Sequence, residues 1–96
     1  MSKSFYVYIL ASGQNGTLYV GVTSNLLQRV HQHRTNAIDG FTKKYGVHRL
    51  VYFDVFDDSL TAIGREKAMK HWPRKKKLQA IEAGNPLWRD LYETLV

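Results

Sequence analysis

Residues 4–23, SFYVYILASGQNGTLYVGVT, decide the architecture. Ser4 to Ala11 is aromatic and β-branched. Tyr6, Tyr8 and Leu10 fall on one side and Phe5, Val7 and Ile9 on the other, which predicts a strand with both faces partly covered. Ser12-Gly13-Gln14-Asn15-Gly16 is a turn cluster, and its Asn15-Gly16 pair suits a hairpin. Thr17 to Thr23 then returns as a second strand, antiparallel to the first. Met1-Ser2-Lys3 ahead of this segment faintly mimics a secretion signal. Seven apolar residues with three aromatics read better as a strand.

Working outward, Ser24-Asn25 caps a helix expected to run to about Thr35. Asn36 to Gly46 reads as an exposed loop, and His48 to Phe56 as a third strand. Asp57-Asp58-Ser59 caps a second helix that stops at Trp72 before Pro73. Pro73 opens a third helix ending near Gly84. Asn85-Pro86 repeats the cap-then-proline signal. It predicts a short last helix with Leu87, Trp88, Leu91 and Leu95 on one side. The order is β-β-α-β-α-α-α, an α+β arrangement in which helices pack on a small three-stranded antiparallel sheet.

The 96 residues suffice for one domain, expected over residues 1–96. The absence of cysteine excludes disulfides, thiolate zinc sites and a cysteine nucleophile. No apolar run approaches the ~18 residues of a membrane span, and the cytoplasm is the expected compartment. The net charge is +6, and its location is informative. Residues 65–77 hold seven cations (Arg65, Lys67, Lys70, Arg74, Lys75, Lys76 and Lys77) against the single acid Glu66. The remaining cations and acids balance at seven each. A localised positive field suits a polyanion, above all nucleic acid. A solvated basic helix is the plainer reading of the same run.

Four features carry possible chemistry. Tyr8 and Tyr19 sit on the paired strands and are expected close together on one face. Two tyrosines in a small sheet are by default packing residues. Arg29 and His33 lie four apart on the first helix, flanking a stripe centred on Leu26, Val30 and Leu27. They can look back over the sheet toward the tyrosines, or simply be solvated. A zinc site from His31, His33 and His48 is poor, because residues two apart on a helix do not converge. Glu66, embedded among cations, either neutralises its neighbours or ligates Mg²⁺ with water and phosphate completing the shell. Asn85 is a natural helix cap, and a helix start is also a phosphate site.

Together these residues resemble the GIY-YIG nuclease family, over nearly the whole chain. Tyr6-Val7-Tyr8 stands where the first motif's Gly-Ile-Tyr would be, and Tyr19-Val20-Gly21 matches the second about ten residues later. Thr23-Ser24-Asn25-Leu26 followed by Arg29 and His33 is similar to the family's helix with its essential arginine. Glu66 fits the single metal-binding glutamate and Asn85 the late asparagine. The 72–77 run resembles that of small stand-alone bacterial members. Tyr6 replaces the first motif's glycine, and Val22 lies where some members carry a lysine.

The resemblance implies a divalent-metal-dependent endonuclease of the repair or recombination type, cutting DNA phosphodiesters by structure rather than sequence. RNA stays open as a substrate, and a monomer or weak homodimer as the assembly. It implies one Mg²⁺ or Mn²⁺ on Glu66, Arg29 on the scissile phosphate, and Tyr19 or Tyr8 as base, its pKa lowered by Arg29 and the metal. His33 is the alternative base, and Asn85 would orient Glu66 or the phosphate. Lys43, Lys44 and the 65–77 cations would hold the backbone. The rival readings are a non-catalytic nucleic-acid-binding module using the same basic face, and a module docking on an acidic partner. Neutralising Lys75, Lys76 and Lys77 together is expected to weaken all DNA sequences alike and flatten the salt dependence of binding. Titrations at several salt concentrations check this, and a loss selective for one base sequence would contradict it.

Overall fold

The computed structural model describes residues 3–35 and 40–96. Strands β1 (Phe5–Ala11), β2 (Leu18–Thr23) and β3 (Arg49–Phe56) form one antiparallel sheet in the order β2-β1-β3. The hairpin forms as expected. Ser12 N–H donates to Thr17 O and Thr17 N–H to Ser12 Oγ, while Asn15 takes the left-handed conformation at φ 57°.

The alternation of β1 divides the core in two. Val7, Ile9 and Ala11 pack on one face with Ala62, Met69, Ile81 and Trp88. Tyr8 and Leu10 pack on the other with Leu26, Val30, Val47 and Leu50. Helix α1 (Leu26–Arg34) therefore covers one face, and α3 (Ser59–His71) with α4 (Arg74–Gly84) the opposite one. Local chemistry sets the helix starts. Asn25 Oδ1 accepts from Gln28 N, and Asp58 Oδ1 from Thr61 N. Helix α3 stops at an extended Trp72, as the following proline requires.

Two stretches differ from expectation. The predicted 36–46 loop contains a five-residue helix, α2 (Phe41–Tyr45), closed by Gly46 in the left-handed conformation; residues 36–39 lie outside the described residues. Thr42 buries itself, and Val47 N–H caps its carbonyl, so the segment docks rather than waving in solvent. The helix predicted after Pro86 does not form. Asn85 instead closes α4, with its N–H on Ile81 O. Its side chain bonds both the N–H and the carbonyl of Arg89, and Trp88 adopts φ 55°. That left-handed tryptophan breaks any continuing helix, and a 3₁₀ turn (Leu91–Thr94) forms only after Asp90.

Asn85 also donates from Nδ2 to Val51 O. Val51 falls at the register shift between Ile9 and Leu10, where it has no Cα partner on β1. The side chain thus satisfies a carbonyl that a bulge leaves over. Replacing Asn85 with Ala is expected to cost about 2 kcal/mol of stability. Urea unfolding measures it, and an unchanged midpoint would show that these bonds do not hold the chain end.

Candidate active site

Tyr8 pairs across the sheet with Gly21, and both belong to the face covered by α1. A Cβ on Gly21 would overlap the Tyr8 hydroxyl and Cζ. The missing side chain is what lets the buried phenol lie over β2. Tyr19, two residues away on β2, keeps its ring centroid 6.4 Å from that of Tyr8. The expected pair of phenols on one face therefore forms.

Helix α1 adds two groups. Leu26, Val30 and His33 are its buried residues, at the i, i+4, i+7 spacing of one face. Leu27, expected in the stripe, is exposed instead, and His33 takes the place beside the sheet at 1% exposure. A buried imidazole must be satisfied. Here Nε2 lies 3.2 Å from Tyr8 Oη and Nδ1 3.0 Å from Thr42 Oγ1. Burial first, then the Arg29 charge and that of His48, push its pKa down to about 4. The ring is neutral at neutral pH, so one nitrogen donates while the other accepts. Thr42 was not legible as a site residue, since nothing in its local sequence marks a hydroxyl that orients a distant histidine.

Arg29 is half-buried, and its guanidinium acts on the Tyr8 phenol, opposing the effect of burial. Its Nε is buried with no protein partner, the one such side-chain atom among the described residues. Tyr8 departs from expectation. Burial pushes its pKa up to about 12, and the Arg29 guanidinium only partly offsets this. The expected lowering by Arg29 loses to desolvation, so Tyr8 is a phenol at neutral pH.

Glu66 comes from α3, on the other face, yet its charge acts on the same Tyr8 phenol. Strand β2, which Tyr8 lies over, is an edge of the sheet. Glu66 is buried, and its Oε2 accepts from Lys70 Nζ at 2.7 Å. Lys70 is in turn influenced by Tyr19. Tyr8, Tyr19 and His33 thus gather their rings, with Thr42 behind the imidazole, and the charges of Arg29 and of the Lys70-paired Glu66 act on the Tyr8 phenol. Among the described residues, no three His, Cys, Asp or Glu side chains gather to hold a metal ion. A lone hard carboxylate suits a hydrated divalent ion and not zinc.

Asn85 stands apart. Its amide is spent on Val51 and Arg89, and it lines a cleft with Tyr52, Ala80 and Leu91 that contains no residue of the cluster. Its side-chain hydrogen bonds are to Val51 and Arg89, and none is to Glu66.

The basic run is also more differentiated than its sequence. Arg74 donates to the carbonyls of Asn15 and Gly16, clamping the hairpin, and Lys77 reaches Lys70 O. Both are taken up, in part, by the fold rather than left for phosphates. Arg65 and Lys76 flank the Trp72 ring at 4.9 and 4.3 Å. Lys67 and Lys75 are exposed, as are Lys43 and Lys44 on α2. Of the two departures from the motif pattern, Val22 packs on the α3 side of the core and Tyr6 on the α1 side.

The chain has relatives among known proteins. The model of the GIY-YIG catalytic domain matches residues 4–79, and the chain belongs to the GIY-YIG family, a nuclease domain family. A UPF0213 protein of Haloquadratum walsbyi is 32% identical over 87 residues, covering 91% of this chain and 97% of its own length. One from Clostridium perfringens is 37% identical over 78 residues, covering 81% and 83%. The solution NMR structure of a UPF0213 protein from Bacillus halodurans superposes with a TM-score of 0.52 at 31% identity, covering 83% of this chain and 84% of that one. Family membership supports an endonuclease acting on nucleic acid. Among the described residues, no helix is long and apolar enough to cross a membrane.

The depressed pKa of His33 has a stability signature. Between about pH 6.5 and 4 the unfolded chain binds a proton that the folded one refuses. Stability is expected to fall as pH is lowered through that window, by on the order of 1 kcal/mol per unit. Urea unfolding at closely spaced pH values checks it. His33→Gln should flatten that part of the profile, and an equal slope in both proteins would assign the effect elsewhere.

Proposed function

We propose that the protein hydrolyses phosphodiester bonds in DNA, one strand at a time, with the tyrosine-arginine-glutamate cluster as its active site. The observation that carries this reading is that the buried Tyr8 phenol, bonded to His33 and beside Tyr19, lies in the field of both the Arg29 guanidinium and the Glu66 carboxylate. A guanidinium with a permanently charged fork matches the scissile phosphate. The unpartnered Nε of Arg29 supports that role, since a buried donor without a partner is costly and a phosphate oxygen or water would satisfy it.

Tyr19 is the phenol we assign to the attacking water. It is half-exposed, whereas Tyr8 has no exposed surface and holds its proton. Negative charge developing on Tyr19 would be balanced by the Lys70 ammonium. Tyr8 then acts by position. Its hydroxyl is held by His33, beside the Arg29 charge. Glu66 would hold one Mg²⁺ or Mn²⁺, whose contribution when bound is Lewis-acid stabilisation of the phosphoryl and leaving oxygens. The exposed lysines of α2 and α3 supply affinity independent of sequence, so DNA shape is left to decide the substrate. Among the described residues no helix is presented as a base-reading element, which supports branch or flap selectivity of the repair type.

The test is cleavage of branched, flapped and linear DNA by the purified protein with Mg²⁺ or Mn²⁺. Wild type is expected to cut, and Glu66→Gln and Arg29→Ala to lose at least about a hundredfold in rate. Binding without turnover under both ions, or equal cutting by Glu66→Gln, would leave a nucleic-acid-binding module in place of the enzyme.

A further inference from the structure

Aromatic rings run in a continuous series from the buried cluster to the surface. Tyr8 and His33 are fully buried, and Tyr19, half-exposed, has its ring 5.4 Å from that of His33. Phe41 lies 6.3 Å from Tyr19 with the planes only 29° apart, and Tyr45 lies 4.8 Å from Phe41. Phe41 is 45% exposed and Tyr45 50%. Helix α2, which carries both, is no loose arm. Thr42 pins it to His33, and the Val47 N–H closes on the Thr42 carbonyl. The two rings are i and i+4 neighbours, and the turn between them carries Lys43 and Lys44, with Lys44 Nζ 5.4 Å from the Tyr45 ring centre.

We propose that Phe41 and Tyr45 form a stacking platform for an unpaired nucleobase beside the bond that is cut, which makes a junction between duplex and single strand the preferred substrate. This deepens the nuclease reading and rests on it, because the platform is continuous with Tyr19. Three observations select this occupant. Half-exposed rings on a docked, short helix offer flat apolar surface at little ordering cost. Cations interleaved with them suit an occupant that brings phosphates with its rings, and disfavour a purely apolar peptide. A base pair inside a duplex has its faces covered by its neighbours, so only an unstacked base can use the platform.

Binding is read by fluorescence anisotropy without divalent ions, so that nothing is cut. The probes are a DNA duplex with a short single-stranded extension, and the same duplex whose extension consists of abasic residues. Wild type is expected to bind the base-bearing extension about tenfold more tightly. Phe41→Ala with Tyr45→Ala should erase that preference with the circular dichroism spectrum unchanged, and Phe41→Trp should keep it. Equal affinity of wild type for both probes, or a preference that survives the double replacement, overturns the platform. Cutting in the presence of Mg²⁺ or Mn²⁺ without any base preference overturns it too, and leaves the nuclease reading standing. Base preference without cutting supports the platform and removes the nuclease reading.

Discussion

The passage of the Tyr8 ring across a bare Gly21 is the constraint on which the rest of the site depends. A strand residue normally projects straight from its sheet. Here the absence of one cross-strand side chain lets a phenol lie over the neighbouring strand instead. That strand is an edge, and the charges of Arg29 and Glu66, from helices on the two faces, both act on the phenol. Neither helix has to leave its packed position to do so. Leu26 and Val30 seat α1, Ala62 and Met69 seat α3, and the charged residues sit beside those anchors.

Burial then divides the labour between two chemically identical side chains. Tyr8 is shut in with His33 and Arg29, and desolvation outweighs the cation beside it. It is a fixed hydrogen-bonding group rather than a source of phenolate. Tyr19 shares its face but reaches water, and has an ammonium in its field. The neutral imidazole of His33, bonded on both nitrogens, acts as a spacer that carries the position of Thr42 to Tyr8. A proton-accepting role for His33 fits less well with both ring nitrogens engaged and a pKa pushed far below neutrality.

Much of the fold was legible because it is written in local pattern. The alternation around Tyr8, the turn at Asn15-Gly16 and the caps at Asn25 and Asp58 each state their structure within a few residues. The pairing of Tyr8 with Tyr19, and of Arg29 with His33, follows from strand and helix periods. What was not legible depends on remote partners. Helix α2 is too short to show a period, so Thr42, Phe41 and Tyr45 looked like loop residues. Asn85-Pro86 has the local appearance of a helix start. The spare carbonyl of Val51, on a distant strand, turned it into a helix end. Arg74 reads as one more cation in a basic run, and only the fold delivers two hairpin carbonyls to it.

Residues beyond position 79 lie outside the span matched by the family model, yet they finish the structure. Trp88 fills the core under α3 and α4, while Leu91, Tyr92 and Leu95 pack beneath the other face. Asp90 receives the Leu50 and Tyr92 N–H groups and pairs with Arg34 at the end of the arginine helix. The span of the family model and mechanical self-sufficiency therefore have different borders in this protein. The segment inside that span borrows its lining from the tail that follows it. Trimming the chain to the recognisable region would remove the keystone and leave the signature without a vault.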